Sequence, residues 1–130
     1  MIFPIKREPE SGLLIISIEI DSKFELKMVL DTGATNTTID SNALYLLGYD
    51  LKDNIGLVEI ETAIGIIETE VFEIGSFSTL GQIKKNFQIQ VYDFLAHGIY
   101  SDYNGLVGLD FLEEHKFCID LKLNTITLSK

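Results

Sequence analysis

The chain has 130 residues, 46% of them apolar, and carries 20 acidic against 10 basic side chains for a net charge of −10. That length makes one ordinary domain, 1–130, with enough chain to bury a core without covalent staples. The acidic balance excludes nucleic acid as a partner, because phosphate binding needs clustered Lys and Arg and the longest interior basic run is Lys84-Lys85.

A single Cys118 forms no intrachain disulfide, and the alternating run Phe117-Cys118-Ile119-Asp120-Leu121 predicts it as a buried small apolar residue in a reducing, cytoplasmic setting. His97 and His115 are isolated from each other and no Cys/His cluster has metal-ligand spacing, so neither a metal nor another cofactor is expected. His115, following Glu113-Glu114, reads as a cation near a helix C-terminus. The apolar stretch Leu13 to Ile18 is interrupted by Ser17 and Glu19, far short of the roughly 20 residues of a membrane span. The mixed-charge segment Lys6-Arg7-Glu8-Pro9-Glu10 and the lack of a small-residue cleavage site argue against a signal peptide.

Period-two alternation dominates and predicts a mainly β, all-β-class domain with one or two short helices. Leu14 to Ile20 and Phe24 to Leu30 read as adjacent strands joined around Asp21-Ser22-Lys23, and they deliver Asp31 to a turn. Asp40 reads as an N-cap for a helix whose apolar face is Ala43, Leu44 and Leu47, with Gly48 as its stop signal. Alternation resumes at Leu57, breaks at Gly65 and continues to Gly75, the pattern of a long hairpin with a glycine near its tip. Asn86 to Phe94 predicts a strand with Phe87, Ile89 and Val91 on one face and Tyr92 and Phe94 on the other. An irregular segment from His97 to Asn104 leads into Leu106-Val107, then a helix of about two turns from Asp110 to His115. Phe117 to Leu128 closes as a hairpin around Leu123-Asn124, with Ile119, Leu121, Ile126 and Leu128 apolar.

Two segments carry chemistry. Asp31-Thr32-Gly33 follows the apolar run Lys27-Met28-Val29-Leu30 and precedes Ala34. An acid on a turn at the end of a buried strand is desolvated and requires compensating hydrogen bonds or a partner group. Thr32 supplies a hydroxyl that both donates and accepts, and Gly33 lets another backbone approach. Far downstream lies Gly105-Leu106-Val107-Gly108-Leu109-Asp110-Phe111-Leu112.

Together these segments resemble the retropepsin-like aspartic proteases. In that family an apolar strand runs into Asp-Thr-Gly-Ala, matched by Val29 to Ala34, and two apolar residues then Gly close a psi-shaped loop, matched by Leu106-Val107-Gly108. Thr62-Ala63-Ile64-Gly65-Ile66-Ile67 looks like the family's flap tip, so the resemblance extends from about residue 28 to residue 112. Viral members usually carry Arg directly after the psi-loop Gly; Leu109 in that position implies different subunit contacts and a cellular or bacterial branch.

The resemblance implies an acid protease barrel with one lobe per chain, and an aspartic endopeptidase acting on an extended peptide or protein substrate. It assigns catalysis to Asp31, Thr32 and Gly33, and substrate contact to Ala34, Ala63, Ile64, Gly65, Ile66 and Val107. Aspartic hydrolysis needs two carboxylates, and this chain has one Asp-Thr-Gly; Asp110 lacks that turn and reads as a helix N-cap. The implied solution is a homodimer in which Asp31 of each subunit meets on the twofold axis. The competing readings are a non-catalytic peptide-binding or dimerisation module of the same fold, and a protease restricted to self-processing.

Overall fold

The computed structural model describes residues 1–62 and 65–129, and only the backbone of Ile60, Glu61 and Thr62. Alternation sets the strands, because successive side chains in extended chain point to opposite faces. Two short strands, β1 (Ile2–Pro4) and β2 (Lys6–Arg7), precede the antiparallel pair β3 (Leu14–Ile20) and β4 (Phe24–Leu30). Ile16, Ile18, Ile20, Leu26, Met28 and Leu30 are buried, while Ser17, Glu19, Glu25 and Lys27 face solvent. The turn between them puts Asp21 and Ser22 at φ 53°, a conformation that Asp tolerates. Asp21 is also anchored: its Oδ1 accepts the Ser76 N–H at 3.0 Å and its Oδ2 accepts the Tyr49 hydroxyl. Burial, reinforced by that carboxylate, pushes the Tyr49 phenol well above its ordinary range.

Next come β5 (Thr38–Asp40) and α1 (Ser41–Leu46). The Asp40 carboxylate accepts the Asn42 N–H at 3.3 Å, Ala43 and Leu44 are buried, and Gly48 at φ 94° follows the helix end. After a 3-10 turn at Leu51–Asp53, β6 (Gly56–Thr62) and β7 (Gly65–Thr79) form an antiparallel hairpin whose register pairs Thr62 with Gly65. β7 then turns directly into β8 (Gln82–Tyr92), with Thr79 opposite Gln82. The strand expected from Asn86 thus starts four residues earlier. Its turn places Leu80 at φ 50° and Gly81 at φ 70°, and Leu80 accepts that backbone while its side chain is buried.

The chain finishes with β9 (Gly105–Val107), α2 (Leu109–Leu112), β10 (Lys116–Asp120) and β11 (Thr125–Ser129). α2 is one turn rather than the expected two. The β10/β11 hairpin forms as expected, but one predicted burial is corrected. Cys118 is exposed because Phe117 and Ile119 take the inward face, and Leu121 is exposed because it lies beyond the strand in the turn.

The fold is mainly β with two short helices. One sheet has the order β2-β3-β4-β9-β5-β8-β7-β6, and a further pairing of β3 with β7 curls it toward closure; β1, β11 and β10 form a second sheet. Phe77, Phe87 and Phe111 meet in the core with ring centroids 5.0, 5.5 and 6.2 Å apart. Phe77 and Phe111 are fully buried, each stabilising the fold by about 1.5–3 kcal/mol, and Phe87 packs against them half-buried. Among the described residues, no helix is long and apolar enough to cross a membrane.

The topological feature that makes the site is β9. It runs parallel to β4 and antiparallel to β5, filling the space between them. That passage is narrow. A Cβ on Gly105 would lie 2.1 Å from the Thr38 carbonyl oxygen, and one on Gly108 would lie 2.7 Å from the Ala34 carbonyl oxygen. Gly105→Ala is therefore expected to lower unfolding free energy by roughly 3 kcal/mol or more, measured by urea denaturation, since backbone rather than a flexible side chain must move.

Candidate active site

β4 carries Asp31 to the edge of the β4/β9/β5 layer, and the turn is then tied by its own backbone. The Asp31 N–H donates to the Val107 carbonyl at 2.9 Å, the Ala34 N–H donates to the Asp31 carbonyl at 3.2 Å, and Asp31 Oδ1 accepts the Gly33 N–H at 2.9 Å. Among the described residues no donor engages Oδ2. A Cβ on Gly33 would crowd Asp31 Oδ1 at 3.2 Å, so a larger residue there would disturb the carboxylate. Thr32 and Gly33 are exposed and Asp31 is half-buried.

The support beneath this turn is a polar knot. Thr37 is wholly buried; its Oγ1 donates to Asp110 Oδ1 at 2.7 Å and accepts the Gly108 N–H at 3.1 Å, while its own N–H donates to Asp110 Oδ2 at 2.9 Å. Two backbone bonds run alongside, Leu109 N–H to the Ala34 carbonyl at 2.8 Å and Asp110 N–H to the Thr35 carbonyl at 3.1 Å. Asp110 is thus not the N-cap it was expected to be. Gly108 holds that position, and the Asp110 carboxylate, inside the first turn of α2, spends both oxygens on Thr37. Thr37→Val keeps shape but removes the hydroxyl that serves both Asp110 and Gly108. It is expected to lower stability by about 2–3 kcal/mol in chemical denaturation, because a half-buried carboxylate and a buried N–H both lose a partner.

Asp31 lies on the wall of a cavity of about 400 Å³ whose lining is mostly aliphatic and aromatic: Val29, Leu106, Ile67, Ile99, Tyr92 and Phe94, with Thr38, Thr69 and Ser101 among its polar members. A second, more polar cleft of about 790 Å³ shares Thr38 and Leu106 and is lined by Gly33, Ala34, Glu59, Gln88 and Gln90. Thr69, on β7, is only 3% exposed, and its Oγ1 is buried without a hydrogen-bond partner among the described residues. An unpaired buried hydroxyl carries a penalty of about 1–3 kcal/mol.

The structure brings Asp31, Gly33 and Ala34 together at these two cavities and places the other expected residues as follows. Val107 is fully buried in the core and contributes only its carbonyl to Asp31; Leu106, one residue earlier on the strand, faces the cavities. Ile66 is 68% exposed and absent from both linings, whereas Ile67 on the opposite face of β7 lines the apolar cavity. Gly65 has φ 139° with open space where a Cβ would be; Ala63 and Ile64 lie outside the described residues. Tyr92 and Phe94 were legible as a face distinct from Phe87, Ile89 and Val91, but nothing local marked that face as a cavity wall. The buried Nδ1 of His115, just after α2, has no partner among the described residues. No group of three His, Cys, Asp or Glu that could hold a metal ion occurs among the described residues.

The irregular segment bordering the apolar cavity is pinned at its start. Asp93 Oδ1 accepts the Ala96 N–H at 3.0 Å and the Asn42 amide at 2.9 Å, His97 Nδ1 meets the Asp93 carbonyl at 2.7 Å, and the His97 ring stacks on Tyr92 at 4.1 Å. The Ala96 N–H, then Asn42, hold the Asp93 carboxyl below its ordinary 3.8. A carboxyl with a lowered folded-state pKa contributes order above the unfolded value and loses it as pH falls through the folded one. Hydrogen-exchange protection of 94–99 is therefore expected to fall below pH 3.8 while that of β4 persists, and Asp93→Asn should loosen the same segment at neutral pH.

Comparison with known proteins agrees with this geometry. The chain is similar in structure to a retropepsin-like aspartic protease from Rickettsia conorii, with a TM-score of 0.71 and 24% identity over 98% of this chain and 89% of that one. It is also similar to the retroviral protease-like domain of Ddi1 from Leishmania major, with a TM-score of 0.56 and 22% identity over 91% of this chain and 89% of that one. At these identities the likeness is one of fold, which is retropepsin-like. No curated protein sequence matches the chain. The model of the aspartyl protease family matches residues 16–111, well over half of the chain, and spans both the Asp31 turn and the β9 segment that supports it, so the chain belongs to the aspartyl protease family.

Proposed function

We propose that the chain is an aspartic endopeptidase that works as a homodimer, its 130 residues acting as one protease domain and each subunit contributing Asp31 to a shared pair. The observation that carries this reading is the division of labour between two acids. Asp31 stands at an apolar cavity with Oδ2 unengaged among the described residues, while Asp110 has both oxygens committed to Thr37. Peptide hydrolysis by carboxylates needs a base and an acid at one site, so the second carboxyl comes from the partner subunit's Asp31.

In that arrangement the ionised Asp31 takes a proton from water as its oxygen adds to the peptide carbonyl carbon. The partner subunit's Asp31, protonated, donates to the carbonyl oxygen. The resulting diol collapses when a proton reaches the amide nitrogen and the C–N bond breaks, leaving a carboxyl and an amine and restoring one shared proton. Two carboxyls so close cannot both ionise easily, which makes the rate bell-shaped in pH. Thr32, exposed beside the axis, braces the pair through its hydroxyl, and Gly33 with Ala34 keeps the wall low enough for an extended substrate backbone. The β6/β7 hairpin serves as the flap: Gly65 at φ 139° provides a backbone that a residue with a Cβ adopts only under strain.

Asp31→Asn is expected to lower cleavage of unfolded protein substrates by about 100- to 10,000-fold while a folded dimer persists by light scattering. Mixing it with wild type under subunit exchange should reduce activity as the square of the wild-type fraction. Activity linear in that fraction would mean that each chain works alone, and an unimpaired variant would remove Asp31 from the reaction. A wild type that binds extended peptides without cleaving them would mark a peptide-binding module.

A further inference from the structure

We propose that Thr69 makes the apolar cavity beside Asp31 select tyrosine over phenylalanine in the bound peptide. This deepens the endopeptidase reading and rests on it. Thr69 lines that cavity, is 97% buried as the complement of its 3% exposure, and has a hydroxyl with no partner among the described residues. The other polar members differ from it, Thr38 being only half-buried. Asp31 Oδ1 is held by the Gly33 N–H, and Ser101 is exposed, its Oγ accepting the Tyr103 N–H at 3.1 Å.

A buried polar atom without a partner is rare in a finished interior, and where it borders a cavity it points to a guest that completes it. The rest of the lining states what the guest must be. Tyr92 and Phe94 offer aromatic surface and Ile67, Ile99 and Leu106 aliphatic surface, so the body of the guest is flat and apolar. Thr69 asks for one hydrogen-bonding group at its end. A rotation about χ1 can carry the Thr69 hydroxyl into the place its methyl holds, and more than one rotamer is open to a residue on a strand. Tyrosine combines a ring with a single terminal hydroxyl that can donate to or accept from Thr69. Phenylalanine fills the same space and leaves the Thr69 hydroxyl unpaired, the situation in which a polar site discriminates most strongly.

The test uses the full chain as a dimer and a pair of extended apolar peptides identical except for Tyr or Phe at the residue flanking the intended scissile bond. A matching pair carries a reduced amide in place of the scissile bond, with binding measured by calorimetry. Wild type is expected to favour Tyr over Phe by about 3- to 10-fold in kcat/KM and in affinity, the range of one hydrogen bond. Thr69→Val should collapse that ratio to about one, and Thr69→Ser, which keeps the hydroxyl, should retain it. Equal handling of the two peptides by wild type, or a ratio unchanged in Thr69→Val, overturns the proposal. If neither peptide is cleaved but the reduced-amide pair shows the Tyr preference and its loss in Thr69→Val, the cavity assignment stands and the endopeptidase reading falls. Absence of both binding and cleavage overturns both.

Discussion

The threading of β9 between β4 and β5 is the constraint on which the site depends. A strand inserted there must come within backbone contact of the Thr38 carbonyl at one end and the Ala34 to Asn36 loop at the other, which leaves no room for a Cβ at Gly105 or Gly108. Once in place, its Val107 carbonyl takes the Asp31 N–H, and the chain beyond it returns Asp110 to Thr37. The Asp31 turn is thereby held from both sides by groups far away in sequence. Rigidity of this kind sets the geometry of the Asp31 carboxylate before any guest reaches the cavity.

Carboxylates elsewhere in this acidic chain are used as structural acceptors. Asp21 ties the β3/β4 turn to Ser76 and Tyr49, Asp40 caps α1 and also accepts the Phe94 N–H at 3.2 Å, and Asp93 gathers the segment beside the cavity. Asp110 anchors the loop under Asp31. Each accepts at least one backbone N–H. Asp31 departs from the pattern: one oxygen is satisfied by its own turn and the carboxylate faces a cavity. Environment therefore separates one acid from the rest, although the five are the same residue type.

The two cavities flanking Asp31 differ in character for a topological reason. Side chains of β7 and the end of β8 that point away from the core meet the irregular segment after Asp93, and that side is apolar and aromatic. On the other side the exposed loop 33–36 faces Glu59 and the glutamines of β8, and the lining is polar. Two adjoining clefts of opposite character suit an extended guest with different side chains on either side of its centre.

Much of this was legible in the chain itself. The β3/β4 hairpin, the Asp40 cap, the glycine-interrupted β6/β7 hairpin and the Asp31 turn are local features, written in alternation, capping residues and turn residues within a few positions of one another. The misreadings all arose where a distant partner decides. Leu80 occupies a left-handed turn because the core buries its side chain, which no local propensity indicates. Asp110 resembles a cap until Thr37, 73 residues earlier, is brought beneath it. Alternation defines two faces of a strand without saying which meets solvent, so it left open that Leu106 rather than Val107 faces the cavities, and it misassigned Cys118. By itself the sequence determined where the strands and turns lie and which acid sits on the exposed turn, since these depend on neighbours along the chain. Only the tertiary structure decided which faces became core and which became cavity, since that depends on which strands pack together.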